Sequence, residues 1–233
     1  MKWFPRRRRT RKKRRLPRWA RWILVGVLSF YAFCTIMLIG MRWIEPLATG
    51  VQIQRRVESL FAEGDYDAVQ ISVPLEQIPI DVQRAVIAAE DGRFYEHSGI
   101  DWLELEKVVE EVETRGRFRG GSTISQQLVK NLFLTTHRSP IRKGLEVTLV
   151  PIAELVLSKD RILELYLNHI EWGPGVWGVE AAARHHYGVS AQKLNRRQGA
   201  RLAACIPDPR RRRPSQMDTY GSIILDRMKS RGW

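Results

Sequence analysis

The chain has little cysteine, with only Cys34 and Cys205 among 233 residues. Two thiols can build neither a disulfide-rich scaffold nor a four-cysteine zinc site. The fold must therefore rest on an apolar core, which a hydrophobic content of 44% can supply. The same composition excludes disorder over the whole chain.

Acidic residues are missing from residues 1–21, which hold 12 of the 39 lysines and arginines. The other 212 residues carry 27 basic and 25 acidic side chains and are nearly neutral. A nucleic-acid-binding domain would spread its basic residues over a folded face. We therefore expect no nucleic acid among the partners, although a scaffold or nucleic-acid binder driven by this basic segment is one alternative reading.

Long alternating runs of apolar and polar residues are also missing, so a large β-sheet is not expected. Only residues 69–73 alternate as a short strand would. Apolar residues recur at helical spacing from Asp81, and Gly188 is a predicted helix stop. The sequence therefore predicts an all-α fold, with a juxtamembrane helix ending near residue 64 and later helices over 142–157, 160–169, 179–187, 198–206 and from 220 onward.

One long apolar run is present, at residues 22–41. A helix of this length, at ~1.5 Å per residue, spans a ~30 Å hydrocarbon layer. A cleaved signal peptide is the alternative, but its apolar core is usually only ~7–15 residues, and no clear cleavage site follows. The positive-inside rule then predicts a cytoplasmic basic tail (1–21), a transmembrane helix (22–41), a juxtamembrane linker (42–68) and an extracytoplasmic domain (69–233).

The first candidate catalytic residue is Glu90. It lies eight residues after Val82 and so continues the apolar face of its predicted helix. A carboxylate on a buried face is costly unless it is paired or used, which makes Glu90 a candidate general base or acid. From spacing alone, an ion-paired glutamate at a helix end is the more common explanation.

A polar helix start follows at residues 120–134, where two glycines precede Thr123 and Gln126 at capping-box spacing. A Gly-Gly loop before a helix can bind phosphate through its backbone N–H groups, but no Walker pattern supports that here. A hydroxyl-rich anionic ligand such as a sugar phosphate suits the hydroxyl, amide and ammonium groups on one face of this helix: Thr123, Gln127, Lys130 and Asn131.

The second candidate carboxylate is Glu146, which follows Arg142 and Lys143 and enters an apolar run. A local ion pair at a helix start would explain it equally well. Together, two embedded carboxylates and the nearby cations are suited to breaking a glycosyl phosphate bond. The carboxylate would act as base for the attacking hydroxyl, and the cations would bind the departing anion: Lys130, Arg138, Arg142 and Lys143.

Four blocks, in order, resemble the glycosyltransferase family that polymerises peptidoglycan from lipid II. They are EDGRFYEHSGID (90–101), GGSTISQQLVKNLFL (120–134), RKGLE (142–146) and KDRILELYLNHIEWGPGVWGVEAAARHHYG (159–188). The resemblance covers roughly residues 69–210, and the chain leaves no room for a transpeptidase domain. We therefore expect a monofunctional transglycosylase rather than a bifunctional penicillin-binding protein. One departure is the pair His185-His186, where the family usually has two aromatic residues.

This resemblance implies a lysozyme-like fold with two lobes and a long cleft. It implies that Glu90 is the base, that Glu146 is the second essential carboxylate, and that Lys130 and Arg138 bind pyrophosphate. The donor site would be lined by Ser122, Gln127 and Asn131.

The implied reaction links sugars β-1,4 with inversion and releases undecaprenyl pyrophosphate. It requires no cofactor and no residue that ligates a metal, and it is compatible with a divalent cation. The implied partners are lipid II, the growing lipid-linked glycan, the membrane and, as candidates, cell-wall synthesis proteins. The implied location is the bacterial cytoplasmic (inner) membrane with a periplasmic catalytic domain. A lytic, lysozyme-like enzyme that cleaves glycan is the second alternative reading.

Overall fold

The computed structural model describes residues 17–62, 66–116 and 120–233. The predicted basic tail therefore lies almost wholly outside the described residues. The described part is predominantly helical, as predicted. Its α-helices are α1 (Arg18–Gly40), α2 (Gly50–Ser59), α3 (Ile80–Glu90), α4 (Trp102–Arg115), α5 (Ile124–Phe133), α6 (Pro140–Val156), α7 (Lys159–His169), α8 (Val179–Tyr187), α9 (Arg196–Ala203) and α10 (Asp218–Ser230).

Several helix ends follow directly from the sequence. The capping box predicted for α5 is present, with the Thr123 hydroxyl accepting from the Gln126 N–H and the Gln126 side chain accepting from the Thr123 N–H. Gly188 ends α8 in the left-handed conformation, with φ of 68°, which glycine adopts without steric cost. The predicted strand is present but shorter, as β1 (Val69–Gln70).

Helix α4 is missing from the sequence prediction. Its start has a readable signal, because the Asp101 carboxylate accepts a hydrogen bond from the backbone N–H of Glu104 at 3.0 Å. An aspartate three residues before a glutamate is a recognisable helix N-terminus. The apolar residues Trp102, Leu105, Val108 and Val109 also recur at helical spacing, so both signals for this helix were available in the sequence.

A small sheet was only partly predicted. β2 (Glu171–Gly173) pairs antiparallel with β3 (Val176–Trp177), and β1 pairs parallel with β3. The parallel register places Val69 opposite Val176. This sheet brings residues separated by about a hundred positions together, so no local pattern could have predicted it.

Seven of the ten helices in the described residues pack in two groups. Helices α3, α9 and α10 form one group, in which α9 lies against both others. Helices α2, α6 and α7 surround α5 in the second group. The apolar core includes the fully buried side chains of Phe94, Leu128 and Tyr166. A cleft lies between the two groups, with the end of α3 on one side and α5 on the other.

Helix α1 is long and apolar enough to cross a membrane, with a mean hydropathy of 2.3 over its best window. It begins four residues before the predicted span. Its second half packs against α6, where the Tyr31 and Thr148 hydroxyls lie 2.5 Å apart. Cys34 and Leu38 are fully buried in this contact. The helix therefore makes direct contact with the rest of the chain.

Candidate active site

The cleft contains two adjoining cavities. The first, which we call the Glu90 cavity, has a volume of about 510 Å³ and includes the end of α3 and residues 120–123. The second, the Lys130 cavity, has a volume of about 250 Å³ and lies against α2, α5 and the end of α7. Gln127 and Pro207 line both cavities. A ligand could therefore extend from one cavity into the other past Gln127.

Glu90 is fixed by a directed pair of hydrogen bonds. The Gln127 side-chain amide donates to Glu90 Oε2 at 2.7 Å. The Tyr166 hydroxyl donates to Gln127 Oε1 at 2.9 Å, and Tyr166 is fully buried. Because the tyrosine occupies the amide oxygen, the amide NH₂ must point toward the carboxylate. Two residues on two other helices, Gln127 of α5 and Tyr166 of α7, thus set the orientation of Glu90.

The environment of Glu90 makes it a better base than a free glutamate. Burial raises the pKa of Glu90, and this effect outweighs the opposing hydrogen bond from Gln127 and the positive charges of Lys130 and Arg212. A general base is most effective when its pKa lies close to the working pH. The structural reason is the position of Glu90 at the end of α3, directly after buried Val86 and Ala88.

Lys130 lies on α5 and lines the Lys130 cavity. Its ammonium makes no hydrogen bond or ion pair within the described ranges. Burial lowers the pKa of Lys130, while the charges of Glu146 and Glu90 oppose this shift. An ammonium partly removed from water and lacking a close partner is well suited to bind an anionic group of a ligand.

Glu146 is buried among cations. It is 2% exposed and accepts a hydrogen bond from the Arg142 guanidinium at 2.6 Å, while Lys143 forms an ion pair with its other oxygen. Lys143 also donates to the Ser122 hydroxyl at 3.2 Å. Ion pairing of Glu146, the local explanation considered from the sequence, is therefore present. Glu146 also acts at longer range through its charge on Lys130.

The remaining predicted residues divide into two sets. Ser122 and Gln127 line the Glu90 cavity, and Asn131 lies with Lys130 in the second cavity. Arg138 is exposed in the connection between α5 and α6, and Arg142 also donates to the His137 carbonyl at 2.8 Å. The static structure brings neither arginine into the lining of the two cavities, so their contact with substrate stays a prediction.

Comparison with known proteins identifies the family of the chain. The family model described as Transglycosylase matches residues 57–229. A biosynthetic peptidoglycan transglycosylase of Bordetella avium (strain 197N) is 49% identical over 221 residues, which is 89% of this chain and 92% of that protein. One from Dechloromonas aromatica (strain RCB) is 43% identical over 222 residues, 91% of this chain and 96% of that protein. The chain belongs to the transglycosylase family. The resemblance drawn from the four sequence blocks is confirmed.

Within this transglycosylase, one cluster has the composition of a metal site. Asp91, His97 and Asp101 hold ligand atoms within 4.8 Å of one another. Each atom already has a protein partner, since His97 Nε2 lies 2.9 Å from Asp91 and its Nδ1 accepts from the Gly99 N–H at 3.0 Å. The Ile124 N–H also donates to Asp91 at 3.0 Å. The cluster joins the 91–101 loop to α5.

The sequence did not single out several residues that line the cleft. Arg210 and Arg212 belong to the basic run 210–213, which reads as low complexity but places Arg210 in the Lys130 cavity and Arg212 in the Glu90 cavity. Arg212 lies 5.5 Å from the centre of the Tyr220 ring and donates to the Ala204 carbonyl at 2.8 Å.

Glu171 lines the Lys130 cavity as well, and burial raises its pKa. The sequence did offer one signal for Glu171, because this carboxylate stands between two apolar residues, Ile170 and Trp172.

Proposed function

We propose that this chain polymerises lipid II into β-1,4-linked glycan strands and releases undecaprenyl pyrophosphate. The observation that carries the proposal is the placement of Glu90. Its pKa is raised by burial, the Gln127 amide orients it, and it lies in the same cleft as the Lys130 ammonium, which has no hydrogen-bond or ion-pair partner among the described residues. The shared family and the names of the relatives support the substrate class.

The mechanism follows from these groups. Glu90 accepts the proton of the acceptor hydroxyl as its oxygen attacks the anomeric carbon of the donor. The bond from that carbon to the pyrophosphate oxygen breaks with its electron pair, and the departing group becomes an anion. Lys130 stabilises this developing negative charge by a charge-assisted hydrogen bond. A single displacement inverts the configuration, so no enzyme nucleophile is needed.

Glu146 has a different role in this proposal. Its carboxylate is buried, both of its oxygens bind the cations Arg142 and Lys143, and it lies outside the lining of the two cavities. We assign it to the positioning of these two cations, and of Ser122 through Lys143, near the donor pyrophosphate. Arg138 would join them when substrate is bound.

The proposed location is the cytoplasmic (inner) membrane of a bacterium, with the basic tail in the cytoplasm and the catalytic domain in the periplasm. The length and hydropathy of α1 support a membrane span, and the 12 basic residues before it support the orientation. A topology reporter fused after Trp233 should be active only outside the cytoplasm. An active cytoplasmic reporter at that position would contradict the orientation.

The proposal is tested by incubating the purified full-length chain in detergent with labelled lipid II. Formation of glycan strands with release of lipid pyrophosphate is the expected result. A parallel incubation with finished glycan separates this activity from that of a lytic enzyme. Shortening of the finished glycan, with no growth from lipid II, would overturn the assignment.

A further inference from the structure

The Lys130 cavity continues beyond the groups used in the proposed mechanism. Past Lys130 it is lined by Arg55 of α2, Glu171 of β2 and Arg210 of the basic run. None of these residues has a role in the proton transfer or in binding the leaving group. This end of the cleft therefore needs its own explanation.

Glu171 is the unusual member of this group. Its side chain is 7% exposed, and its Oε2 accepts from Arg55 Nε at 3.3 Å. Its other oxygen, Oε1, is buried and has no hydrogen-bond partner among the described residues. Arg210 Nε lies 4.0 Å from Oε1, beyond hydrogen-bonding distance, on a side chain that is 53% exposed. Burying a carboxylate oxygen without a close donor is unfavourable, so a ligand that supplies a donor there gains affinity.

The charges at this end of the cavity are balanced. Arg55 is paired with Glu171 and also with Glu58 at 2.7 Å, and Arg210 faces Glu171. Asp208 adds another carboxylate to the lining. A second phosphate would meet two carboxylates here, whereas a neutral ligand rich in hydroxyl and amide N–H groups could donate to them. The chemistry therefore favours a sugar over an anion.

Arg55 is held firmly enough to position Glu171. It lies on α2, which packs against α5 so closely that a Cβ at Gly50 would lie 2.6 Å from the Leu134 carbonyl oxygen. The Gln54 side chain also exchanges two hydrogen bonds with Thr136, at 2.7 and 2.8 Å. The segment predicted as a juxtamembrane linker thus supplies one wall of the cleft.

We infer that Glu171 determines specificity for the donor strand by accepting a hydrogen bond from a neutral sugar next to the one that reacts. This inference rests on the proposed function, because it assumes that Lys130 binds the pyrophosphate of the donor. Arg210 moves aside when the sugar enters, and Arg55 keeps the carboxylate in place. Glu171 is a substrate-binding residue in this scheme and takes no part in proton transfer.

The test uses the full-length chain and a labelled lipid-linked tetrasaccharide whose terminal 4-hydroxyl is blocked, so that it can act only as donor. Label transfer to saturating lipid II gives KM and kcat for this donor. For Glu171→Ala we expect KM to rise about tenfold, as expected for a lost hydrogen bond to a charged group, with kcat within about twofold of the parent. Glu171→Gln keeps the volume and one acceptor oxygen and should restore part of the affinity.

Glu58→Gln is the matched control, because Glu58 binds the same Arg55 but lies outside the cavity lining. It should leave the donor KM unchanged. An unchanged donor KM in Glu171→Ala, or a loss confined to kcat and thermal stability, would overturn the inference. If the alanine variant does not fold, the glutamine variant decides: a twofold or larger rise in KM supports the inference, and no rise refutes it. Absence of label transfer by the parent chain would instead refute the proposed function.

Discussion

Glu90 and Glu146 both act on Lys130 through their negative charge, but the surroundings of the two carboxylates differ. Glu90 meets one neutral donor, the Gln127 amide, and burial raises its pKa. Glu146 is more deeply buried yet binds two cations. The neutral amide leaves one Glu90 oxygen free of a cationic partner, whereas both oxygens of Glu146 already bind cations among the described residues. Burial alone therefore does not identify a catalytic base; the charge of the partner does.

Substituting each glutamate with glutamine is the most direct test of whether the two carboxylates have different roles. Glu90→Gln keeps the shape but cannot accept a proton, so polymerisation should fall ~10²–10⁴-fold while donor binding persists. Glu146→Gln should weaken donor binding as well as rate, because Arg142 and Lys143 lose the charge that positions them. Rate assays with a binding measurement beside each would show this split. Near-normal polymerisation by Glu90→Gln, with normal binding and no activity in Glu146→Gln, would reverse the two roles.

Substitutions of Lys130 test whether its ammonium binds the phosphate of the substrate. Lys130→Ala should lower kcat/KM for lipid II by about 10–100-fold, since a charge-assisted contact to phosphate is lost. Lys130→Arg should recover only part of this, because a planar guanidinium does not replace a compact ammonium. Lys229→Ala, which removes an exposed lysine of α10, serves as the control. Unchanged kinetics in Lys130→Ala would remove this residue from the site.

A smaller effect is expected from a substitution that tests how the Gln127 amide is oriented. Tyr166→Phe removes the hydroxyl that fixes the Gln127 amide, so the amide can turn its oxygen toward Glu90. We expect a roughly 3–10-fold lower rate, which corresponds to the loss of one neutral hydrogen bond. The donor KM should not change. A Tyr166→Phe variant with parental kcat would show that the amide is held in place without the tyrosine.

The smallest effect concerns pH. Because burial raises the pKa of Glu90 above its ordinary value of 4.5, the acidic limb of the kcat/KM profile should have its midpoint above that value.

The same shift in the Glu90 pKa affects stability, because the folded chain holds this proton more tightly than the unfolded chain does. The contribution of Glu90 to stability is thus present below pH 4.5 and is lost as pH rises through the raised pKa. At neutral pH, Glu90→Gln should melt no lower than the parent, and a lower melting temperature would contradict this account.

The helices of the catalytic part were largely readable because their signals are local. Predicted and observed bounds agree within a few residues for α3 and α6 and coincide for α8. Local sequence patterns made Glu90 and Lys130 candidates, and the family resemblance gave them specific roles; the comparisons confirm the family. Their assignment to individual steps stays a prediction. Arg55 could not be found from the sequence, since its importance depends on a partner 116 residues away.

The sequence by itself determined the class of fold, the apolar segment of α1 and the family, because spacing, hydropathy and ordered motifs are properties of neighbouring residues. The tertiary structure alone decided which groups face each other across the cleft. It placed Tyr166 behind Gln127, and it put Arg55 and Arg210 on either side of Glu171. Hydrogen bonds and desolvation act over a few ångströms in space, whatever the separation along the chain. The pKa of a base and the free oxygen of a buried carboxylate are therefore set only once the helices have packed.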